Sequence, residues 1–163
     1  SGFIFLDPQG FLRRKGIDNK IHLASTDLNL SKISAIKTSP DELNALTGIS
    51  TIDGMNILQK KGIEYVILTD KQNISLLFNG KIYSIKLPNI ELYDTTGIGD
   101  IFSTTFCCTI IKEKDFLWAL SFAAGSAQAA LENKEIGLDK IPSRGAIETN
   151  ATYFYNTVKF REI

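Results

Sequence analysis

The run Asp94-Thr95-Thr96-Gly97-Ile98-Gly99-Asp100 holds the residues whose types and spacing could do chemistry. Gly97 and Gly99 stand where a loop turns into a helix, so no side chain blocks the backbone N–H groups of the first helical turn. Those donors lack intrahelical partners, and with the positive end of the helix dipole they make an anion site suited to a phosphate. Asp100 lies inside the same turn. The dipole stabilises a carboxylate there, yet its charge repels a phosphate unless it has a task of its own. Accepting the proton of a hydroxyl that attacks phosphorus is such a task, and a positioned base contributes roughly 10²–10⁴-fold. Most of the acceleration in phosphoryl transfer comes from positioning and electrostatic stabilisation, so an anion hole beside a base is the minimum such a site needs. The pattern fits a structural reading equally: glycines of a tight turn and a carboxylate that only complements the dipole. A dinucleotide fingerprint does not fit, because Gly97-x-Gly99-x-x-Ser103 lacks the third glycine and no early βαβ unit surrounds it.

The elements that must position this run follow from hydrophobic period and turn chemistry. Phe3–Leu6 is a continuous apolar run ending at Asp7-Pro8, which predicts a short strand buried on both faces. Such a strand needs neighbours on both sides, so a chain that opens on it is expected to lack sequence upstream. Ile33–Ile36 predicts a second core strand. Ser39-Pro40-Asp41-Glu42 then carries a helix start, with Ser39 as N-cap, Pro40 at the first helical position and Glu42 three residues after the cap. Gly48 closes that helix. A second helix fits Ile52–Lys61, and Glu64–Thr69 is the next strand. Ile74–Phe78 and Lys81–Leu87 are joined by Asn79-Gly80, a hairpin signal because both central residues tolerate positive φ. Ile98–Lys112 places Phe102, Phe106 and Ile110 on one helical face, and Phe116–Glu132 is apolar on more than one side, as a deeply packed helix is. A further helix follows Pro142, while Ala151–Ile163 matches neither template. The alternation predicts one α/β domain over residues 1–163, with a mostly parallel sheet flanked by helices on both faces and a short β-hairpin.

Composition removes whole classes of function. The 163 residues carry 18 Lys+Arg and 18 Asp+Glu, a formal net charge of zero, with 44% hydrophobic residues. A core is affordable, and no cation cluster stands ready to displace counterions from nucleic acid, so no nucleic-acid partner is expected. The most apolar stretches, Ile101–Ile111 and Phe116–Leu131, are shorter than the ~20 residues a bilayer requires, so no membrane span is expected. The N-terminus shows no basic region before an apolar core, so nothing in it suggests a signal peptide. Cys107 and Cys108 are adjacent, make no disulfide framework and read as small core side chains of a protein in the reducing cytoplasm. His22 has no cysteine or carboxylate at metal-ligand spacing and reads as a surface or capping residue; Trp118, with Phe122 four residues on, reads as core.

Residues 94–100 resemble the D-T-x-G-A-G-D signature of the ribokinase-like (PfkB-type) carbohydrate kinases, with Ile98 in place of the usual alanine. Lys37-Thr38-Ser39-Pro40-Asp41-Glu42 resembles that family's K-x-N/S-x-x-E segment, and Asp7-Pro8 its D-P-N strand end. The strand ending at Thr69, the hairpin, the signature and the Ala-rich helix also come in the family's order. The resemblance covers about Phe3 to Arg144 and corresponds to the C-terminal half of a typical member, so the N-terminal half with its sugar contacts and lid is expected to be missing. It implies an ATP- and Mg²⁺-dependent kinase acting on a hydroxyl of a sugar, nucleoside or polyol. By that resemblance Asp100 is the general base, the amides of Gly97, Ile98 and Gly99 hold the migrating phosphoryl group, and Glu42 organises Mg²⁺. Lys37 and Ser39 lie near the triphosphate, Thr69 marks the nucleotide edge of the sheet, and Asp94 and Thr96 occupy positions that bind a monovalent cation such as K⁺ in some members. The chain departs from the family after Thr69, where Asp70-Lys71-Gln72-Asn73-Ile74 replaces a glycine-bearing T-x-G-x-x-G. That departure leaves a second reading open, a non-catalytic nucleotide-binding or scaffold module that keeps the fold. The bared sheet edge beside Phe3–Leu6 implies association with the missing half or with a second copy of the chain.

Overall fold

The structure, a computed structural model, describes residues 2–25, 28–88, 95–135 and 137–163. In chain order its elements are β1 (Phe5–Leu6), α1 (Gln9–Leu12), β2 (Arg13–Lys15), β3 (Ile21–Leu23), β4 (Ala35–Thr38), α2 (Pro40–Thr47), α3 (Ile52–Lys60), β5 (Tyr65–Asp70), β6 (Asn73–Phe78) and β7 (Lys81–Lys86). There follow α4 (Ile98–Glu113), α5 (Phe116–Glu132), a 3₁₀ turn (Gly137–Lys140), α6 (Arg144–Thr157) and β8 (Lys159–Glu162). Six strands form one sheet in the order β1-β4-β5-β6-β7-β8, and β2 pairs with β3 as a separate antiparallel hairpin. The α/β fold is therefore as expected: a mixed sheet flanked by helices.

Parallel pairing is confined to one side of the sheet. β1 runs parallel to β4, with Phe5 opposite Ala35, and β4 runs parallel to β5, from Ala35 opposite Tyr65 to Thr38 opposite Leu68. The connection from β4 to β5 carries α2 and α3, the helical crossover a parallel pair requires. β5, β6 and β7 are joined by two-residue turns and so alternate in direction. At Asn79-Gly80 both φ angles are positive, 47° and 70°, as the hairpin signal demands. The antiparallel part is larger than that signal predicts because Lys71, at φ 54°, makes a second tight turn without any glycine.

The chain forms two compact units. The first comprises the residues through Lys71, Ser75–Tyr83 and Arg161–Ile163, and the second Gln72–Ile74 and Ser84–Phe160. In the first, Ile36 and Val66 of the sheet pack with Leu43 of α2 and Met55 and Leu58 of α3. β4 is buried at all four positions, whereas β1 is only half-buried and Ile4 beside it is 43% exposed. The sequence expectation of a β1 buried on both faces is corrected here, since β1 has β4 as its sole neighbour among the described strands. The polar stretch before Ile33 also gains structure, because Asn19 adopts φ 61° and closes the β2–β3 hairpin.

In the second unit α5 packs against both α4 and α6. Phe102, Phe106 and Ile110 are buried, as their spacing predicts. Cys107 is only partly buried and Cys108 is exposed, so the expected core role of both thiols is corrected: the pair follows Phe106 around the helix, away from the buried stripe. α5 approaches α6 through Gly125, where a Cβ would lie 2.8 Å from both the Ile147 carbonyl oxygen and the Ala151 nitrogen. Gly125→Ala therefore sets a gain in helix propensity against overpacking on rigid backbone. The expected result is a net loss of about 1–2 kcal/mol in chemical denaturation, and a stabilised variant would contradict this packing.

Candidate active site

The carboxyl ends of parallel strands are where open α/β sheets bind ligands, because the loops leave the strands there and helices begin. β4 delivers Lys37, Thr38 and Ser39 to that edge. Since Leu6 pairs with Ile36, the next residues, Asp7 and Lys37, are neighbours, and the Lys37 Nζ lies 2.8 Å from the Asp7 Oδ2. Lys37 is 8% exposed. A buried ammonium is costly unless paired, so Asp7 provides the partner that lets the lysine occupy a central strand. The Thr38 hydroxyl donates to the Ile67 carbonyl at 3.3 Å, and the Thr69 hydroxyl donates to the Thr38 carbonyl at 3.4 Å. Both threonines thus lace β4 to β5 at the edge.

α2 begins with a complete capping box. The Ser39 Oγ accepts from the Glu42 amide at 3.3 Å, and the Glu42 Oε2 accepts from the Ser39 amide at 2.8 Å. Pro40 presets the first helical φ, and Gly48 at φ 80° terminates the helix. Glu42 is 7% exposed and presents its other carboxylate oxygen, which makes no hydrogen bond among the described residues. That oxygen fits the demands of a hard cation or its water shell. A cavity of about 400 Å³ opens beside it, lined by Arg13, Ile21, Leu23, Ser39, Asp41 and Glu42.

The signature run lies in the second unit. Gly97 is the N-cap of α4 at φ 78° and ψ −6°, a left-handed conformation that a glycine adopts without strain, and no side chain caps the helix. The Ile98 amide donates to the Thr95 carbonyl at 3.3 Å, and the Ile101 amide to the Gly97 carbonyl at 2.9 Å. Of the three amides expected to bind phosphate, that of Ile98 is thus engaged in the turn. Gly99 and Asp100 are both exposed in the first helical turn. The Thr96 carbonyl accepts a hydrogen bond from the Lys140 Nζ at 3.4 Å. Sequence reasoning passed over Lys140, which stands in a short 3₁₀ turn with no periodicity to mark it. Asp94 lies outside the described residues.

The fold thus gathers Lys37, Ser39, Glu42 and Thr69 at one edge of the first unit, and Thr96 with Gly97–Asp100 at one helix start of the second. The pattern of pfkB family carbohydrate kinases matches residues 15–144. The chain belongs to that family. Within it, the chain is 32% identical over 127 residues to the ribokinase of Haemophilus influenzae, covering 73% of this chain and 41% of that protein. It is 28% identical over 127 residues to a ribokinase of Arabidopsis thaliana, covering 72% of this chain and 33% of that one. Among solved structures, the Arabidopsis ribokinase complexed with ribose and ATP superposes with a TM-score of 0.70 at 24% identity, over 91% of this chain and 47% of that one. A pyrophosphate-dependent myo-inositol kinase variant superposes with a TM-score of 0.76 at 20% identity, over 94% and 55%. The pfkB family chain thus spans about half the length of its solved relatives and less of the two ribokinases.

His22 is exposed on β3, as expected, and its Nε2 lies 3.2 Å from the Asp18 Oδ1, a partner the sequence reading did not offer. Trp118 is half-buried against Phe122 and Tyr155 rather than in the core. Because Lys37 and Asp7 compensate each other and Asp7 is partly exposed, Asp7→Ala is expected to cost about 1–3 kcal/mol, leaving a buried ammonium without its partner. Adding Lys37→Met to Asp7→Ala should recover most of that loss, giving a coupling of about 0.5–3 kcal/mol in a denaturation double-mutant cycle of the two substitutions; additive losses would rule the pairing out.

Proposed function

We propose that these 163 residues are the C-terminal catalytic and donor-binding part of a kinase that transfers a phosphoryl group from Mg·ATP to a hydroxyl of a sugar, nucleoside or polyol. The observation that carries the reading is the α4 start. A 16-residue helix opens on left-handed Gly97 without a side-chain cap and carries exposed Asp100 in its first turn, in a chain of the pfkB family. The acceptor hydroxyl oxygen attacks the terminal phosphorus as the bond from that phosphorus to the leaving diphosphate oxygen breaks. Asp100 takes the hydroxyl proton. The exposed Gly99 amide and the helix dipole stabilise the charge on the transferring group. Mg²⁺ bound with the donor would neutralise phosphate charge, and Glu42 is the residue that would hold it or its waters. Ser39 and Thr69 stand at the edge where the donor lies, and Lys37, held by Asp7, sets the backbone there.

Sugar contacts and the lid belong to a further segment, the N-terminal half that the relatives carry. The one-sided pairing of β1 supports a strand added along it, from that half or from a second copy. One observation favours a second donor. The turn after Thr69 is a tight hairpin carrying Lys71 and no glycine, where glycine would let backbone approach a nucleoside. A compact turn without glycine suits a donor that has no nucleoside, such as pyrophosphate, the donor named for the myo-inositol kinase relative.

The test is phosphoryl transfer by the protein as its gene encodes it, with labelled ATP and labelled pyrophosphate offered to a panel of sugars, nucleosides and inositols. Asp100→Asn is expected to lower kcat by roughly 10²–10⁴-fold while donor affinity holds. A folded wild type that binds donor and transfers nothing would assign the chain to the binding-module class and remove Asp100 from catalysis.

A further inference from the structure

We infer that Lys140 is a tethered cation of the signature turn, and that its ammonium replaces the monovalent metal ion expected at Thr96. The inference rests on the kinase reading for its catalytic meaning but not for its geometry. Lys140 is 3% exposed and its Nζ donates to the Thr96 carbonyl, one residue before the left-handed Gly97 that starts α4. The contact joins residues 44 apart in sequence.

The loop that delivers the lysine is built for it. α5 ends at Asn133, whose Nδ2 donates to the Asp139 carbonyl at 2.8 Å while its Oδ1 accepts from the Glu135 amide at 3.0 Å. Gly137 turns the chain at φ 63°, and the Ile141 amide closes the 3₁₀ turn on the Leu138 carbonyl at 3.1 Å. Within that turn Leu138 is 83% exposed and Lys140 buried, so the apolar residue faces out and the charged one faces in. Hydrophobicity alone would set the reverse, and a buried ammonium persists only where acceptors hold it.

A monovalent metal ion does not fit the same place. It would use the Thr96 carbonyl as a ligand, within a few ångströms of the Lys140 ammonium, and like charges that close repel each other. A lysine already there supplies the same single charge without a binding equilibrium. It holds the Thr96 carbonyl and so fixes the turn from which the Gly97–Asp100 segment departs. Lys140 is in this sense a positioning residue for the anion site, not a group that touches the reactants.

The experiment compares wild type with Lys140→Ala and Lys140→Gln in potassium chloride and in tetramethylammonium chloride at equal ionic strength. Thermal midpoints and thallium(I) NMR serve as readouts that need no turnover. Wild type is expected to melt at the same temperature in both salts and to show no bound thallium. Lys140→Ala is expected to melt higher in potassium than in tetramethylammonium and to acquire a bound thallium signal. In phosphoryl transfer it should lose about tenfold in kcat or more in tetramethylammonium and regain part of that loss in potassium. A wild type that binds thallium or is stabilised by potassium alone would overturn the inference, whether or not the variants fold. Folded Lys140→Ala and Lys140→Gln that ignore potassium would overturn it as well, reducing Lys140 to a structural anchor. Absence of phosphoryl transfer with the expected salt behaviour intact would sink the kinase reading and leave the tethered cation standing.

Discussion

Parallel pairing of β4 with its two neighbours governs where the polar groups of the first unit can lie. A parallel ladder has a direction, so β1, β4 and β5 all deliver their last residues to one edge. Asp7, the Lys37–Ser39 segment and Thr69 therefore arrive together, although more than sixty positions of numbering separate the first from the last. The same pairing buries every position of β4, which leaves Lys37 and Thr38 needing partners inside the fold. Asp7 meets the ammonium and the Ile67 carbonyl meets the hydroxyl. The edge is in consequence a cross-linked polar rim rather than a loose loop cluster, which is what precise binding of a charged donor asks of a scaffold.

Two helix starts show two solutions to the same problem. Every α-helix begins with amides that have no intrahelical partner. α2 closes its own start with Ser39 and Glu42, whose side chains accept from each other's amides. α4 opens on a glycine that has no side chain to offer. The two starts therefore differ in kind: α2 begins with a side-chain cap, and α4 begins uncapped on a left-handed glycine.

The second unit is held by different means. α5 is lined with alanines and packs helix on helix, with Gly125 bringing the α6 backbone close. Small side chains leave little conformational freedom to lose and allow close approach. Such rigidity suits an element whose far end carries the loop that places Lys140 against the Thr96 carbonyl.

What the sequence determined by itself is everything set by short-range rules. The Ser39–Glu42 cap, the Asn79-Gly80 turn, the buried stripe of α4 and the span of α5 all rest on residues within a few positions of one another, and each stands where those rules put it. The signature from Thr95 to Asp100 was legible for the same reason, since glycine and carboxylate at fixed offsets make a helix start whatever surrounds them. Tertiary structure decided the rest. That β1 is half-buried depends on which strands flank it, and that Cys108 is exposed depends on which face α5 covers. The partners of Lys37 and Lys140 depend on register and loop closure over 30 and 44 positions, and no local period encodes those. A charge can be buried only after the fold has brought its acceptor to it, so these two lysines acquire their roles from the folded chain alone.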